Sequence, residues 1–296
     1  MITTDRRKLW QAAIKLPMYS VAVMPIALGS ALAWYERGTL FWQRLLLFLV
    51  AAVLLLAWEN LCNDVFDDET GVDAHKFHSV VKLTNNKRLV FLLANLFFLL
   101  GLVSLGGIIW QQQDATVLSL VLLCCLLGYV YQGPPFRLGY QGLGEVLCFF
   151  AFAIAVGAAY YSQVQSFSLS LFLPAVINGL STSLILFCSH FHQVEDDKKA
   201  GKFSPIVRLG TKRSAQLIPW LCGGIYGLGV VGIGCGLLPW TALGIFLSLP
   251  FAWQLMQVTK HYHDRPAQIQ GCKFIAVALH FWSNLGLILG LLFHAL

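Results

Sequence analysis

Nine stretches of this chain are long and apolar enough to cross a bilayer, and that feature leaves little choice of fold. They run 15–35, 41–61, 89–110, 115–132, 143–161, 168–191, 214–238, 240–259 and 272–294. A membrane-crossing helix needs about 20 mainly apolar residues. The runs are continuous and do not alternate, which selects helices over a barrel. The breaks between them carry turn chemistry or charge, as at Gly133-Pro134-Pro135 and Leu238-Pro239. Only 11% of the 296 residues are charged and 57% are hydrophobic, against about 25% charged in a soluble domain. The expectation is an all-α, multi-pass integral membrane protein of nine transmembrane helices, forming one domain over 1–296. Soluble enzymes, nucleic-acid binders and secreted disulfide scaffolds are excluded, and the lipid bilayer is its first partner.

The basic residues orient the spans. With nine helices, one side holds the N-terminus and the loops after helices 2, 4, 6 and 8, and that side has eighteen of the twenty Lys and Arg residues. Only Arg37 and Arg44 lie opposite. The positive-inside rule places the eighteen in the cytoplasm. The apolar run after Arg6-Arg7-Lys8 is long enough to be a retained first span and not a cleaved signal. The eight cysteines lie mostly within spans and form no Cys-x-x-Cys pair, so they read as small apolar filler.

Against this background the acids are easy to inspect. Asp64, Asp67, Asp68, Glu69 and Asp73 follow helix 2, and Glu195, Asp196 and Asp197 follow helix 6. With Glu59, nine of the fourteen acids occupy two short stretches on the cytoplasmic side. Asn60, Asn63, Asp64 and Asp67 fall at i, i+3, i+4 and i+7, which is one helical face. Acids at a helix C-terminus oppose the macrodipole unless a cation binds there. The segment also recurs: Asn63-x-x-x-Asp67-x-x-x-Gly71 matches Gln193-x-x-x-Asp197-x-x-x-Gly201, and a basic tail follows each copy. Four helices separate the copies, so they form parallel pseudo-repeats whose acids face each other on one side of the membrane. Hard-cation ligands beside Lys and Arg suit a magnesium–diphosphate complex, because Mg2+ takes a few carboxylates plus substrate phosphates.

At these residues the chain resembles the UbiA superfamily of intramembrane aromatic prenyltransferases. The resemblance spans nearly the whole chain, and three segments carry it. They are Asn60-Leu-Cys-Asn63-Asp64-Val-Phe-Asp67 with Gly71 and Asp73; Tyr131-Gln-Gly133-Pro134-Pro135 leading into Tyr140-Gln-Gly142-Leu143-Gly144-Glu145; and Glu195-Asp196-Asp197 through Gly201-Lys202. They look most like the branch that prenylates 1,4-dihydroxy-2-naphthoate. Trp58-Glu59-Asn60 and His190-Phe-His192-Gln193 look like its phytyl-transferring members from cyanobacteria and plastids.

The resemblance implies nine helices around a central cavity, with motif loops at 60–88 and 190–213. It also implies Mg2+-dependent transfer of a prenyl group, phytyl by preference, from an allylic diphosphate to a naphthoate acceptor. The acceptor is decarboxylated, as in phylloquinone or menaquinone biosynthesis, in a bacterial inner or thylakoid membrane with the site facing the cytoplasm. The implied metal ligands are Asn63, Asp67, Gln193 and Asp197 or Asp196; Asp197 shares a face with Gln193, and Asp196 lies about 100° away. Gln193 stands where most of the family has Asp, and it brings a carbonyl oxygen without charge.

Asn60, Lys76, Arg137, Tyr140, Glu145 and Lys202 are implied substrate-binding residues. Asp64 and Asp73 are implied to assist as bases or organise the loop, and Tyr131 to steady the allylic cation with its π-face. Two competing functions remain: a prenyltransferase for homogentisate or another aromatic acceptor, and a cation or solute transporter. The second fits less well, since transporter repeats are commonly inverted with sites near the midplane. His280 and Asn284, i and i+4 in helix 9, read as interhelical glue.

Overall fold

The computed structural model describes residues 6–71 and 79–294. Its nine principal helices are α1 (Ser20–Arg37), α2 (Trp42–Thr70), α3 (Lys87–Gln112), α4 (Thr116–Gln132), α5 (Gly144–Val164), α6 (Phe172–Ser189), α7 (Thr211–Gly234), α8 (Leu249–Tyr262) and α9 (Cys272–His294). A 3-10 segment, Trp240–Ser248, runs into α8 and completes its length. Among the described residues, eight helical stretches are long and apolar enough to cross a membrane, and α4, at 17 residues, is a shorter apolar helix. The protein is a multi-pass membrane protein with no strand among the described residues.

Consecutive helices are neighbours throughout, and α9 closes the bundle by packing on α1. Contacts of α1 with α5 and of α6 with α9 cross the interior. The apolar core divides accordingly. One cluster joins α1, α5 and α6 to α7–α9 through Leu28, Tyr160, Ile177, Leu184, Ile218 and Leu287. The other joins α2, α3 and α4 through Phe48, Leu55, Val90, Leu105, Ile108 and Val117.

The outward faces are apolar as well: Leu92, Leu96, Leu99 and Val103 on α3, Trp220 on α7 and Trp253 on α8 are exposed. Lipid tails are their natural solvent. Polar side chains turn inward instead. Asn178, Ser181, Thr182, His280, Ser283 and Asn284 are all buried. The Ser181 hydroxyl lies 2.9 Å from His280 Nδ1, and Asn284 Nδ2 donates to Ser181 Oγ at 3.4 Å. This pair ties α9 to α6, as its spacing implied.

Close approach of α9 to the 3-10 segment depends on glycine. A Cβ on Gly286 would strike the Gly244 backbone, and one on Gly290 would strike that of Thr241. Thr241 Oγ1 uses the contact to donate to the Gly290 carbonyl at 2.6 Å. The end of the bundle away from the two acidic motifs is closed by short-range polar ties. Tyr161 Oη donates to Asp114 at 2.6 Å, Gln112 Nε2 to Ser162 O at 3.0 Å, and the Phe41 N–H to Gln163 Oε1 at 2.8 Å.

Candidate active site at the basic end of the bundle

α2 runs unbroken to Thr70 and stops where Gly71 adopts φ 70°, its N–H donating to Asp67 O at 3.0 Å. The left-handed conformation is inexpensive for glycine, and this is its usual place after a helix. The four residues read as one stripe nevertheless divide. Lys15 Nζ donates to Asn60 Oδ1 at 3.4 Å and lies 3.7 Å from Asp64 Oδ1. Asp64, almost fully buried, also accepts the Val80 N–H at 2.8 Å on Oδ2. Asn63 turns the other way, its Nδ2 donating to Gln132 Oε1 at the end of α4. At about 100° per residue the stripe is wide enough for two neighbours to share it. Asn60 and Asp64 thus anchor the chain before α1 and the short helix Val80–Thr84.

The orientation of Asn63 matters for a metal. With Nδ2 committed to Gln132, its carbonyl oxygen accepts no hydrogen bond among the described residues. An outer residue that fixes a ligand's orientation in this way is a common feature of metal sites. Gln132 is buried and also donates from Nε2 to Glu59 O at 3.2 Å.

The second motif lies beyond α6 on a short helix, Val194–Lys199, with Gln193 at its N-cap. Asp197 is buried with Lys202 Nζ 3.8 Å from Oδ1, whereas Asp196 is only partly covered. Lys202 also sits 5.9 Å over the Tyr140 ring, and the Phe203 N–H donates to Tyr140 O at 2.8 Å. Arg208 fastens the same two loops, donating to Phe203 O at 3.0 Å and Gln141 O at 2.8 Å.

Tyr131 stands where these pieces meet. It ends α4 with its ring against Gly139 and Gly144, where any side chain would collide with it. Asp67 from the first motif, Asp197 from the second and Glu145 from α5 all act on it electrostatically. Tyr140 Oη shares a 2.7 Å hydrogen bond with Thr70, one turn past Asp67. Burial pushes the Tyr140 phenol above its usual range and Asp67 adds to the shift, while Thr70, Lys202 and Arg137 oppose it. Arg137 donates to Glu69 Oε2 at 3.3 Å, and Lys87 reaches the other oxygen at 2.9 Å. The Arg137 Nε is buried without a hydrogen-bond partner among the described residues, a donor held in reserve. Glu145 lies 3.0 Å from His190 Nδ1 and so joins the start of α5 to the end of α6.

Asp73 and Lys76 lie outside the described residues. The sequence reading gave no role to Lys15, Gln132 or His190. Gln132 carried one signal, as an amide closing an otherwise apolar span. Among the described residues no three His, Cys, Asp or Glu side chains converge closely enough to hold a metal by themselves. The available donors are amide and carboxylate oxygens, the chemistry of a hard cation that completes its shell with waters and substrate phosphates.

Comparison with known proteins adds to this geometry. The model of the UbiA prenyltransferase family matches residues 22–285. A 2-carboxy-1,4-naphthoquinone phytyltransferase of Synechocystis sp. is 54% identical over 280 residues, covering 94% of this chain and 91% of that protein. A chloroplastic 2-carboxy-1,4-naphthoquinone phytyltransferase of Arabidopsis thaliana is 40% identical, covering 97% of this chain and 77% of that one. A UbiA homolog from Archaeoglobus fulgidus shares the fold at 16% identity and a TM-score of 0.67, covering 95% of this chain and 99% of that one. Bound to DMAPP and Mg2+, the same homolog gives a TM-score of 0.57 over 94% of this chain and 98% of its own.

Proposed function

This chain belongs to the UbiA prenyltransferase family, and from that premise we propose that it transfers a phytyl group from phytyl diphosphate to 1,4-dihydroxy-2-naphthoate. The ring carbon bonds to C1 of the donor, the C–O bond to diphosphate breaks, and the ring releases its carboxylate as CO2. The observation that carries the reading is the link between motifs 130 residues apart through Tyr140: its hydroxyl shares a 2.7 Å hydrogen bond with Thr70, just past Asp67, and its ring lies under Lys202, 3.8 Å from Asp197. Identity of 54% to a phytyltransferase over nearly all of both chains supports the choice of substrates.

The architecture in this reading is nine crossings around a central cavity, α4 included, with the two motifs as parallel repeats in one domain. The site faces the cytoplasm at the basic end of the bundle. Asn63 and Asp67 on one side, and Gln193 with Asp197 on the other, would hold Mg2+; Asp196 is the outer alternative to Asp197. When bound, Mg2+ supplies positive charge that stabilises the departing diphosphate.

The protein's own groups do the rest. Lys202 and Arg137, with Lys76 from the loop outside the described residues, offer donors to phosphate oxygens. Lys202 is held for this by Asp197 and the Tyr140 face, and Arg137 keeps Nε unpaired. The Tyr131 and Tyr140 rings place π-faces beside the allylic carbon, where positive charge develops. Glu145 and His190 brace the wall behind Tyr131. Asn60 and Asp64, tied to Lys15, brace the end of α2 against the chain before α1 and the helix Val80–Thr84.

The test is an assay in membranes containing the protein, with Mg2+ and phytyl diphosphate or an all-trans polyprenyl diphosphate. The acceptor is 1,4-dihydroxy-2-naphthoate or homogentisate. The expected result is a phytylated naphthoquinone after oxidation of the product. Turnover of homogentisate without any naphthoate product would overturn the acceptor, and naphthoate turnover only with polyprenyl donors would overturn the phytyl assignment.

A further inference from the structure

One carboxyl group near this site is so far without a role. Glu59 lies on α2 four residues before Asn63 and eight before Asp67, so it follows the same face about 6 and 12 Å deeper along the axis. Its backbone is fixed from α4 by Gln132, the residue that also orients Asn63. Its carboxyl reaches across to α4 at Gly128, where even a methyl group would strike Oε2. The thiols of Cys62, Cys125 and Cys148 lie within its electrostatic reach. Among the described residues nothing hydrogen-bonds or ion-pairs with the Glu59 carboxyl. Glu59 as a residue is partly and not wholly covered by protein.

A carboxyl within the membrane that lacks a partner is costly, and such residues usually mark a functional path. The isoprenoid tail of the donor offers it no hydrogen bond. The aromatic acceptor does, through its ring hydroxyls. We propose that Glu59 is the acceptor-recognising residue: its carboxyl takes the hydrogen bond of one ring hydroxyl. Gly128 keeps open the slot in which the carboxyl lies. This sets the ring one turn deeper than the Asn63–Asp67 end, facing the donor carbon from the side opposite the diphosphate. The proposal rests on the reading that the protein prenylates a dihydroxylated aromatic ring.

The experiment compares wild type, Glu59→Leu, Glu59→Gln and Gly128→Ala on 1,4-dihydroxy-2-naphthoate and its two mono-O-methyl ethers. A methyl ether keeps the ring electron-rich and removes one donor. Wild type is expected to favour the parent over one ether by about 10- to 100-fold in kcat/KM, the range of one hydrogen bond to a charged or buried group. Glu59→Leu should lose that factor on the parent alone, so the preference collapses to about one, with the donor KM within about twofold. Gly128→Ala should show the same acceptor-selective defect, and Glu59→Gln, which keeps a carbonyl oxygen, should recover most of the preference.

Removing an unpartnered carboxyl should leave the melting temperature in detergent equal or higher. A lower melting temperature or failure to fold in Glu59→Leu would reveal a structural partner and overturn the proposal. An undiminished ether preference, or equal losses toward donor and acceptor, would overturn it too. Wild type inactive on every naphthoate would instead refute the functional reading, and wild type alone reveals it.

Discussion

Gln132→Leu separates the ligand role proposed for Asn63 from simple stability. Gln132 is 4% exposed and makes two hydrogen bonds, to Glu59 O and from Asn63 Nδ2. The Glu59 carbonyl loses little, since a helix carbonyl at that position already accepts from the residue four places on. Asn63 Nδ2 loses its acceptor in a part-buried setting, at a cost of about 1–3 kcal/mol. The fold should therefore weaken by about 2 kcal/mol, a fall in melting temperature of about 5 °C for a chain of this size. Function should suffer differently. Once Asn63 can rotate, its carbonyl oxygen is no longer held toward the site, and loss of such an orienting group typically lowers metal affinity about 10- to 100-fold.

The assay is prenyl transfer as a function of Mg2+ concentration at saturating substrates, alongside thermal unfolding in detergent. Gln112→Leu is the control. Gln112 is 8% exposed and donates to Tyr161 O at 3.3 Å and Ser162 O at 3.0 Å at the far end of the bundle. It should cost similar stability and leave the Mg2+ curve in place. A Gln132→Leu enzyme whose Mg2+ half-saturation stays within about twofold, or a Gln112→Leu enzyme shifted equally, would refute the reasoning.

Asp67→Ala and Asp197→Ala should each abolish transfer while the proteins purify folded from membranes; near-normal rates in either would remove the paired-motif reading. Lys202→Met should raise the donor KM by about tenfold, the worth of a charge-assisted hydrogen bond, with the acceptor KM unmoved; kinetics with each substrate varied in turn decide it. Gly286→Ala should destabilise by about 1–3 kcal/mol, since its Cβ meets the Gly244 backbone and not a flexible side chain; an unchanged melting temperature would contradict the packing. Asp114 is held below its ordinary carboxylate pKa by hydrogen bonds from Tyr161 and Thr116. A group depressed in the folded state stabilises above its unfolded pKa and loses that contribution as pH falls through the folded value. Melting curves between pH 6 and about 3 should therefore fall less steeply for Asp114→Asn than for wild type; parallel curves would be evidence against the clamp.

What the sequence revealed, and what it concealed, follow from the same physics. Apolar runs identify helices because lipid accepts no unpaired backbone group, and eight of the nine runs meet that requirement at full length in the structure. The acids stood out because charge is scarce. Periodicity gives the direction of a side chain from its own axis, however, and says nothing of which neighbour lies there. Asn60 and Asn63 look equivalent in the stripe, yet one meets Lys15 and the other Gln132, 72 residues beyond Asn60 in the chain. Both partners are lone polar residues at span ends, where solvated side chains are ordinary. Only the three-dimensional neighbourhood distinguishes them.

The same contrast explains why Glu59 is the residue to pursue. At the basic end of the bundle three covered carboxylates have partners within the chain: Asp64 has Lys15 and Val80, Asp197 has Lys202, and Glu145 has His190. Those interactions offset desolvation and make the rim rigid before any substrate arrives, as a site that must hold a highly charged leaving group requires. Deeper in, the chain places thiols and a glycine around Glu59 and supplies no such partner among the described residues. A rim whose carboxylates meet basic partners within the chain, with Arg137 Nε left to donate, recognises the diphosphate end common to every prenyl donor. A deeper carboxyl that meets none among the described residues is suited to choosing among acceptors, because discrimination is greatest where the wrong ligand leaves a buried group unsatisfied.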